Sequence, residues 1–156
     1  MSSIHALIKY EEGWREKPYL CTEGYPTVGY GFRIGPKGAD IKLYQFVLPL
    51  SVGNVWLDEI LASKEKEMRT IPHLADALDT CAPYPARTAV LYSMAYQLGV
   101  NGLGNFKNTL AAVARGNWDK GAAGMLDSRW AKQTPKRAQR HAEQMRTGRW
   151  ASVYGG

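Results

Sequence analysis

Residues 12–32 read EGWREKPYLCTEGYPTVGYGF and form the most informative segment of the chain. Eight residues separate Glu12 from Cys21, and five separate Cys21 from Thr27. The spacing predicts a carboxyl at the end of a helix, opposite a glycine-rich hairpin. Such an arrangement can deliver a proton to a glycosidic oxygen.

The helix that carries Glu12 has recognisable ends. Ser2 and Ser3 are candidate N-caps. Apolar residues follow at helical spacing: Ile4, Leu7 and Ile8. Gly13 occupies a typical stop position, so Glu12 should lie in the last turn. There the macrodipole and the like-charged Glu11 should raise its pKa and suit it to general acid catalysis. The alternative is an ordinary solvated glutamate.

The segment after Lys17 and Pro18 changes to a β-like pattern. Gly24 and Pro26 indicate a turn. From Thr27 the residues alternate between two faces: Thr27, Gly29 and Gly31 on one, Val28, Tyr30 and Phe32 on the other. Glycines in a strand favour close approach by a ligand, here a sugar ring. The alternative is a small hairpin whose glycines serve only its twist.

Several motifs together resemble the phage T4-type lysozymes, a family of endolysins. The first is Glu12-Gly13 with Tyr19, residues 22–25 (TEGY) and 27–31 (TVGYG). The others are residues 92–110 (YSMAYQLGVNGLGNFKNTL), 128–135 (SRWAKQTP), 136–138 and 146–150 (RTGRW), in the family's order. They cover more than half of the chain.

The resemblance implies an α+β, two-lobed lysozyme-like fold. Residues 1–156 would form one lysozyme-like domain. A small β-containing lobe would span about 13–50, and a helical lobe about 70–156 together with helix 1–12. A long amphipathic helix, from about 52 to 69, would connect them.

The implied activity is hydrolysis of the β-1,4 bond between N-acetylmuramic acid and N-acetylglucosamine in peptidoglycan. Glu12 would protonate the leaving oxygen, and no cofactor or metal is needed. Cys21 stands where many members have Asp. With Thr27 it could hold the attacking water, which gives inversion and which we favour. It could also act as a nucleophile, which gives retention, or be a buried inert thiol. Its pKa should stay close to ordinary, so that it is mostly neutral at pH 7.

Other site residues follow from the resemblance alone. Glu23, Tyr96, Gln97 and Thr109 should line the sugar cleft between the lobes. Arg137 should lie beside Glu12 and complete the substrate-binding set, as Arg140 should lie beside Glu11. Trp130 is expected to be a core residue.

Two other functions remain open. A lytic transglycosylase also needs one glutamate but forms an anhydro product without water. A non-catalytic cell-wall-binding or phage structural module could use the same fold.

A net charge of +6 and a pI of about 9.4 suit a polyanionic partner. The helix opened by Pro135 carries most of the clustered basic residues. It could contact nucleic acid, meet an anionic envelope, or neutralise active-site carboxylates. No nucleic-acid-binding motif is present, so we expect no nucleic-acid partner. We expect a monomer whose partner is peptidoglycan, with a possible contact between the basic helix and an anionic envelope.

Cysteine and hydropathy patterns bear on location. The two cysteines, Cys21 and Cys81, lack metal spacing and are expected to be free. We find no signal-peptide pattern and no membrane span. We therefore expect the host cytoplasm, with a holin-type pore giving access to the wall and leading to host lysis and phage release.

The remaining pattern predicts helices at 86–98, ended by Gly99, and at 106–114 and 118–126. Residues 35–38 predict a turn, and Ser51 is a possible N-cap. Pro72, Pro83 and Pro85 indicate breaks in regular structure between the helix predicted at about 52–69 and the helix predicted at 86–98. The three histidines, His5, His73 and His141, show no partner pattern and are interpreted as non-catalytic.

Overall fold

The computed structural model describes residues 3–155 and confirms the α+β class. The β-sheet consists of β1 (Arg15–Leu20), β2 (Pro26–Gly29) and β3 (Phe32–Arg33). The α-helices are α1 (Ile4–Glu12), α2 (Leu50–Met68), α3 (Pro72–Cys81), α4 (Pro85–Gly104), α5 (Lys107–Ala114), α6 (Trp118–Leu126), α7 (Arg129–Gln133) and α8 (Pro135–Thr147). Short 3-10 turns lie at Ile41–Leu43 and Ser152–Tyr154.

Internal contacts divide the chain into two compact units. The β-unit is Ile8–Ile60 and contains the sheet. The helical unit consists of the described residues of Met1–Leu7 and Leu61–Gly156. Helices α1 and α2 each run through a boundary between the units, so the backbone is helical at both crossings.

Helix α1 begins and ends as its sequence predicts. The Ser3 hydroxyl accepts a hydrogen bond from the Ala6 N–H at 3.1 Å, which is N-capping; Ser2 lies outside the described residues. Gly13 adopts φ +78° and donates its N–H to the Lys9 carbonyl at 2.9 Å. A side chain at Gly13 would meet nothing within 4 Å, so the positive φ alone favours glycine there. Glu12 is therefore the last helical residue.

The sheet is antiparallel with strand order β1-β2-β3. Its register pairs Tyr19 with Thr27 and Val28 with Phe32. The expected continuous alternation over residues 27–32 is wrong, because the chain reverses at Tyr30 and Gly31 between β2 and β3. The predicted turn over residues 35–38 is confirmed by an Ala39 N–H bond to the Pro36 carbonyl at 3.1 Å.

The reversal has its physical basis in two glycines. Gly29 and Gly31 adopt φ +68° and +79°, which side chains rarely tolerate. A Cβ at Gly29 would also lie 2.8 Å from the Phe32 ring. The turn therefore requires glycine at both positions for its backbone conformation, and close approach by a sugar stays a prediction.

Aromatic side chains form the core of the β-unit. Trp14 packs on Tyr30 with ring centroids 4.7 Å apart, and Phe32 packs on Trp56 at 4.6 Å. Tyr30 joins the two pairs, with its centroid 5.9 Å from that of Phe32. Its hydroxyl donates to Asn54 Oδ1 at 2.6 Å, which ties the sheet to α2.

Three helices begin with proline at the first helical position: α3, α4 and α8. Proline is pre-organised there because its missing N–H has no intrahelical partner. Pro135 was expected to open a helix and does so. Pro72 and Pro85 were interpreted only as breaks in regular structure. The start of α3 at Pro72 was therefore not predicted from the sequence.

Helix α4 is interrupted where the sequence predicts its end. Gly99 has φ +78° and ψ +160°, so the helix breaks there and resumes through Gly104. Helix α6 matches its predicted bounds. The N-cap prediction at Ser51 is wrong: α2 begins at Leu50, and the Pro49 carbonyl accepts the first helical bond from Gly53 at 2.9 Å.

The core of the helical unit is built mainly from α3, α4, α5, α6 and α8. Leu91, Met94 and Leu110 are among its fully buried side chains. Trp130 belongs to this cluster, which confirms it as a core residue.

Two further findings concern the whole of residues 3–155. None of the helices there combines the length and apolarity needed to cross a membrane. That part of the chain also holds no group of three or more His, Cys, Asp or Glu side chains arranged to bind a metal ion.

Candidate active site

Glu12 is presented by the end of α1. Its side chain is half-buried, and Gly13 and Trp14 connect it to β1. The Trp14 indole packs on the Tyr30 ring. It also lies against Gly53 of α2, where a side chain would overlap the indole. Trp14 thereby fixes the backbone that follows Glu12.

Cys21 opens the turn that joins β1 to β2. Its N–H donates to the Tyr25 carbonyl at 3.0 Å, and its carbonyl accepts from Gly24 N–H at 2.9 Å. The Tyr25 N–H lies 3.4 Å from Cys21 Sγ and donates to it. The thiol is half-exposed and free, so it is not the buried inert thiol that one alternative described.

This environment lowers the pKa of Cys21 from its ordinary value of 9.0. The largest cause is the Tyr25 N–H, which stabilises a thiolate; partial burial opposes it. The Glu23 backbone, the Thr27 hydroxyl and the Arg33 charge add smaller lowering effects. The expectation of a nearly ordinary pKa considered the nearby carboxyl and omitted these groups, which lower the pKa of the thiol.

Thr27 lies on β2 and is buried. Its hydroxyl donates to the Tyr25 carbonyl at 2.8 Å. Because that hydroxyl has a single proton, it can serve either this carbonyl or a Cys21 thiolate. Cys21 and Thr27 thus meet on the backbone of Tyr25, one accepting from its N–H and the other donating to its carbonyl.

Arg33 is a residue of this region that sequence reasoning missed. Its guanidinium is 2.6 Å from a Glu23 carboxylate oxygen and lies over the Tyr25 ring at 4.0 Å. The strand register pairs Arg33 with Thr27. A sequence-based prediction of a turn at residues 30 and 31 would have placed Arg33 opposite Thr27. Glu23 is exposed and belongs to the same turn, so both charges flank Cys21.

The other four predicted residues lie in the helical unit. Tyr96 is half-buried, with Lys64 Nζ 5.9 Å from its ring centroid. Gln97 accepts a hydrogen bond from the Trp130 indole N–H at 2.8 Å, so part of its amide has a structural role.

Thr109 lines a cavity of about 840 Å³ in the helical unit. Its walls include Phe106 and Trp130 and the polar residues Asp127, Ser128 and Arg129. Gly124 leaves room for the Thr109 hydroxyl, which a Cβ there would approach to 2.3 Å. Sequence reasoning placed Thr109 at a binding surface but did not predict this cavity.

Arg137 is buried and held from one side by Ser93. Its guanidinium donates to Ser93 Oγ at 2.9 Å and lies 3.3 Å from the Ser93 carbonyl. Ser93 Oγ also lies 2.7 Å from His141 Nε2, and Tyr154 Oη lies 3.3 Å from His141 Nδ1. His141 thus has two partners that its sequence pattern did not indicate, and its interpretation as non-catalytic stays a prediction. Its neighbours come from α4 and the C-terminal turn, which no local pattern reveals.

His73 also has a partner, since its Nε2 lies 2.7 Å from the Gly104 carbonyl. The structure thus brings Cys21, Thr27 and Glu23 together around Tyr25 in the unit that also holds Glu12. The roles of all eight predicted residues stay predictions.

Comparison with known proteins identifies the family. The family model described as phage lysozyme matches residues 9–146. Probable T4-type lysozyme 1 of Dictyostelium discoideum is 30% identical over 95% of this chain and 96% of its own length. Probable T4-type lysozyme 2 of the same organism is 27% identical over the same shares.

A phage protein matches as well. The pre-baseplate central spike protein Gp5 of Enterobacteria phage T4 is 30% identical over 88% of this chain. The chain spans only 26% of the length of that spike protein. The family match covers most of the chain, including Cys21 and its turn. The chain therefore belongs to the phage lysozyme family of glycoside hydrolases.

Proposed function

We propose that this protein hydrolyses the β-1,4 bond between N-acetylmuramic acid and N-acetylglucosamine in peptidoglycan. Membership of the phage lysozyme family and the two T4-type lysozyme relatives support this substrate. The observation that carries the proposal is that Glu12, the last residue of α1, belongs to the same compact unit as the Cys21–Thr27 turn.

Glu12 is the proposed general acid. Its protonated carboxyl gives a proton to the glycosidic oxygen as the bond from that oxygen to the anomeric carbon breaks. Placement at the end of a short helix that is followed by a left-handed glycine holds the carboxyl in a defined position.

Cys21 is the proposed partner of the attacking water. Water adds its oxygen to the anomeric carbon, and its proton passes to the Cys21 thiolate. The lowered pKa of Cys21 increases the thiolate fraction available for this step. Thr27 positions the thiol through Tyr25. Attack by water on the face opposite the leaving group gives inversion, whereas attack by sulfur would give a thioglycoside and retention.

The biological role we propose is lysis of a bacterial host from its cytoplasm, leading to phage release. Both cysteines are free, as expected for a protein of a reducing compartment. The similarity to a phage spike protein favours a second role, as a wall-degrading part of a phage particle.

The test is digestion of purified peptidoglycan by the wild type, Glu12→Gln and the control Glu16→Gln. Glu16 is an exposed carboxylate of β1, so its loss should leave activity unchanged. Glu12→Gln should lower the release of reducing ends by about 10²–10⁴-fold while the melting temperature stays similar. A folded Glu12→Gln variant within tenfold of wild type contradicts the acid assignment.

Product analysis separates the alternatives. Hydrolysis leaves a new reducing end on N-acetylmuramic acid, whereas a transglycosylase leaves a 1,6-anhydro product. A wild-type protein that binds peptidoglycan and releases neither product is a non-catalytic module.

A further inference from the structure

The segment between the sheet and α2 exposes apolar side chains. Residues 41–47, the apolar ridge, read IKLYQFV and include the 3-10 turn Ile41–Leu43. Leu43 is 78% exposed, Phe46 44% and Val47 55%. Exposed apolar side chains that cluster on one short segment indicate an interaction surface.

The ridge is held in place, so its exposure is built into the fold. The Leu48 N–H donates to the Glu16 carbonyl of β1 at 2.7 Å. The Asp40 carboxylate caps the 3-10 turn by accepting from the Lys42 N–H at 3.0 Å. Tyr44, at the centre of the ridge, packs directly against Gly35. A side chain at position 35 would overlap the Tyr44 hydroxyl.

A groove of about 410 Å³ lies between the ridge and the middle of β1. Its walls are mainly apolar and include Pro18, Ile41 and Phe46. Two cations, Lys17 and Lys42, also line it. The surface therefore combines apolar and aromatic groups with positive charge, the composition that suits the boundary between lipid headgroups and acyl chains.

We propose that the apolar ridge docks on an anionic lipid bilayer. Leu43, Phe46 and Val47 enter the headgroup–acyl boundary without crossing the membrane. Lys17 and Lys42 lie at headgroup level and attract the phosphates. The alkyl stems of both lysines cover apolar surface while their ammonium groups stay hydrated.

Charge favours lipid over a second copy of this chain. In a symmetric dimer the same patch meets itself, so Lys17 and Lys42 would face their own counterparts. Like charges across such an interface oppose association, whereas anionic headgroups neutralise them. Neither Glu12 nor Cys21 lines the groove, and the proposal goes beyond hydrolysis of the wall.

The test is co-sedimentation with vesicles of phosphatidylglycerol and phosphatidylcholine, compared with phosphatidylcholine alone. Wild type should bind the anionic vesicles and bind neutral ones poorly. Leu43→Ser/Phe46→Ser should lower the partition coefficient by roughly tenfold or more, since it removes two exposed apolar side chains. The matched control is Leu126→Ser/Val153→Ser, at two side chains of the helical unit that are 48% and 43% exposed. It should bind as wild type does.

A second variant, Lys17→Gln/Lys42→Gln, should weaken binding to anionic vesicles and reduce its salt dependence. Wild type that fails to bind anionic vesicles overturns the proposal. Binding that survives Leu43→Ser/Phe46→Ser overturns it too, because the affinity then lies elsewhere on the protein. A dimer that Leu43→Ser/Phe46→Ser dissociates would make a second copy the occupant. Cleavage of soluble peptidoglycan fragments is measured for all variants. If cleavage is intact while vesicle binding fails, the membrane proposal is wrong and the hydrolase assignment is unaffected.

Discussion

At the scale of single residues, the backbone of Tyr25 controls the acidity of the Cys21 thiol. Its sulfur accepts from the Tyr25 N–H, and the Thr27 hydroxyl binds the Tyr25 carbonyl. A hydrogen bond to a thiolate lowers the pKa of the thiol, and an acceptor at this position can orient a water. Tyr25 thus links the two side chains through its main chain.

We expect Cys21→Asp to keep substantial activity and Cys21→Ala to lose most of it. A carboxylate can take a proton from water and can accept a hydrogen bond from the Tyr25 N–H, whereas alanine does neither. Reducing ends released from purified peptidoglycan measure the effect. Near-full activity of Cys21→Ala would show that Cys21 has a structural role, and a glycosyl adduct on its sulfur, seen by mass spectrometry, would contradict inversion.

Alkylation should distinguish the two thiols. Cys21 is half-exposed with a pKa below the ordinary 9.0, whereas Cys81 is buried and its pKa is raised to about 12, mainly by desolvation. Thiolate is the reactive form, so iodoacetamide should modify Cys21 first, with a rate that reaches half its maximum below pH 9. Mass spectrometry of the folded protein at several pH values checks this. Equal labelling of both sites would refute it.

At the scale of elements, the β2–β3 hairpin depends on its glycines for two different reasons. Gly31→Ala should cost about 1–2 kcal/mol, because only the left-handed φ is strained and nothing lies within 4 Å. Gly29→Ala should cost more, because its Cβ also meets Phe32 at 2.8 Å and Leu48 at 3.1 Å. Urea unfolding of the two variants provides the comparison. A Gly31→Ala variant at least as unstable as Gly29→Ala would contradict this account.

The end of α8 depends on Arg87 of α4. Arg87 Nε donates to the Met145 carbonyl at 2.7 Å, and its terminal nitrogen donates to the Arg146 carbonyl at 3.0 Å. The guanidinium also stacks on Trp118, 4.0 Å from the ring centroid. It therefore satisfies carbonyls that a helix end leaves without intrahelical partners.

We expect Arg87→Met to destabilise the protein by about 2–4 kcal/mol, because a charged donor in a buried bond contributes about 1.5–3 kcal/mol and the second bond, to the Arg146 carbonyl, is only partly buried. Thermal unfolding measures the loss. The matched control is Arg146→Met, whose side chain forms an exposed ion pair with Glu143 and should change stability by less than about 1 kcal/mol. Similar losses in both variants would rule out a special role for Arg87.

At the scale of the whole molecule, Cys81 couples stability to pH. Its pKa is raised from 9.0 to about 12 in the fold, so above pH 9 the unfolded chain releases this proton and the folded chain keeps it. Stability should therefore fall by about 1.4 kcal/mol per pH unit between pH 9 and pH 12 from this group alone.

The measurement is urea unfolding at pH 8, 9 and 10 for wild type and Cys81→Ala. The variant should be less stable at pH 8, through its small cavity, but should lose less stability on going to pH 10. Above pH 10 the half-buried Tyr92, whose pKa is also raised to about 12, adds a similar loss in both proteins. Parallel pH dependence of the two proteins below pH 10 would exclude Cys81 as its source.

Sequence alone determined the features that depend on neighbours along the chain. Helical periodicity and a following glycine placed Glu12 at the end of α1, and Pro135 marked the start of α8. The α+β class and the lysozyme family also followed from local motifs in order. These features were predictable because helix caps, turns and periodicity are set within a few residues.

Features that depend on contacts between residues far apart in the sequence became visible only in the folded chain. The Tyr25 N–H, which is local, is the largest cause of the lowered pKa of Cys21, and the Arg33 charge across the hairpin adds only a small further lowering. The partners of His141 are Ser93 and Tyr154, which lie 48 and 13 residues away in the sequence. The exposed ridge at Leu43 and Phe46 is likewise invisible in an apolar sequence pattern, which predicts burial. The physical reason is that desolvation and hydrogen bonding act through space, and a sequence pattern specifies which residues can form such contacts but not which ones meet.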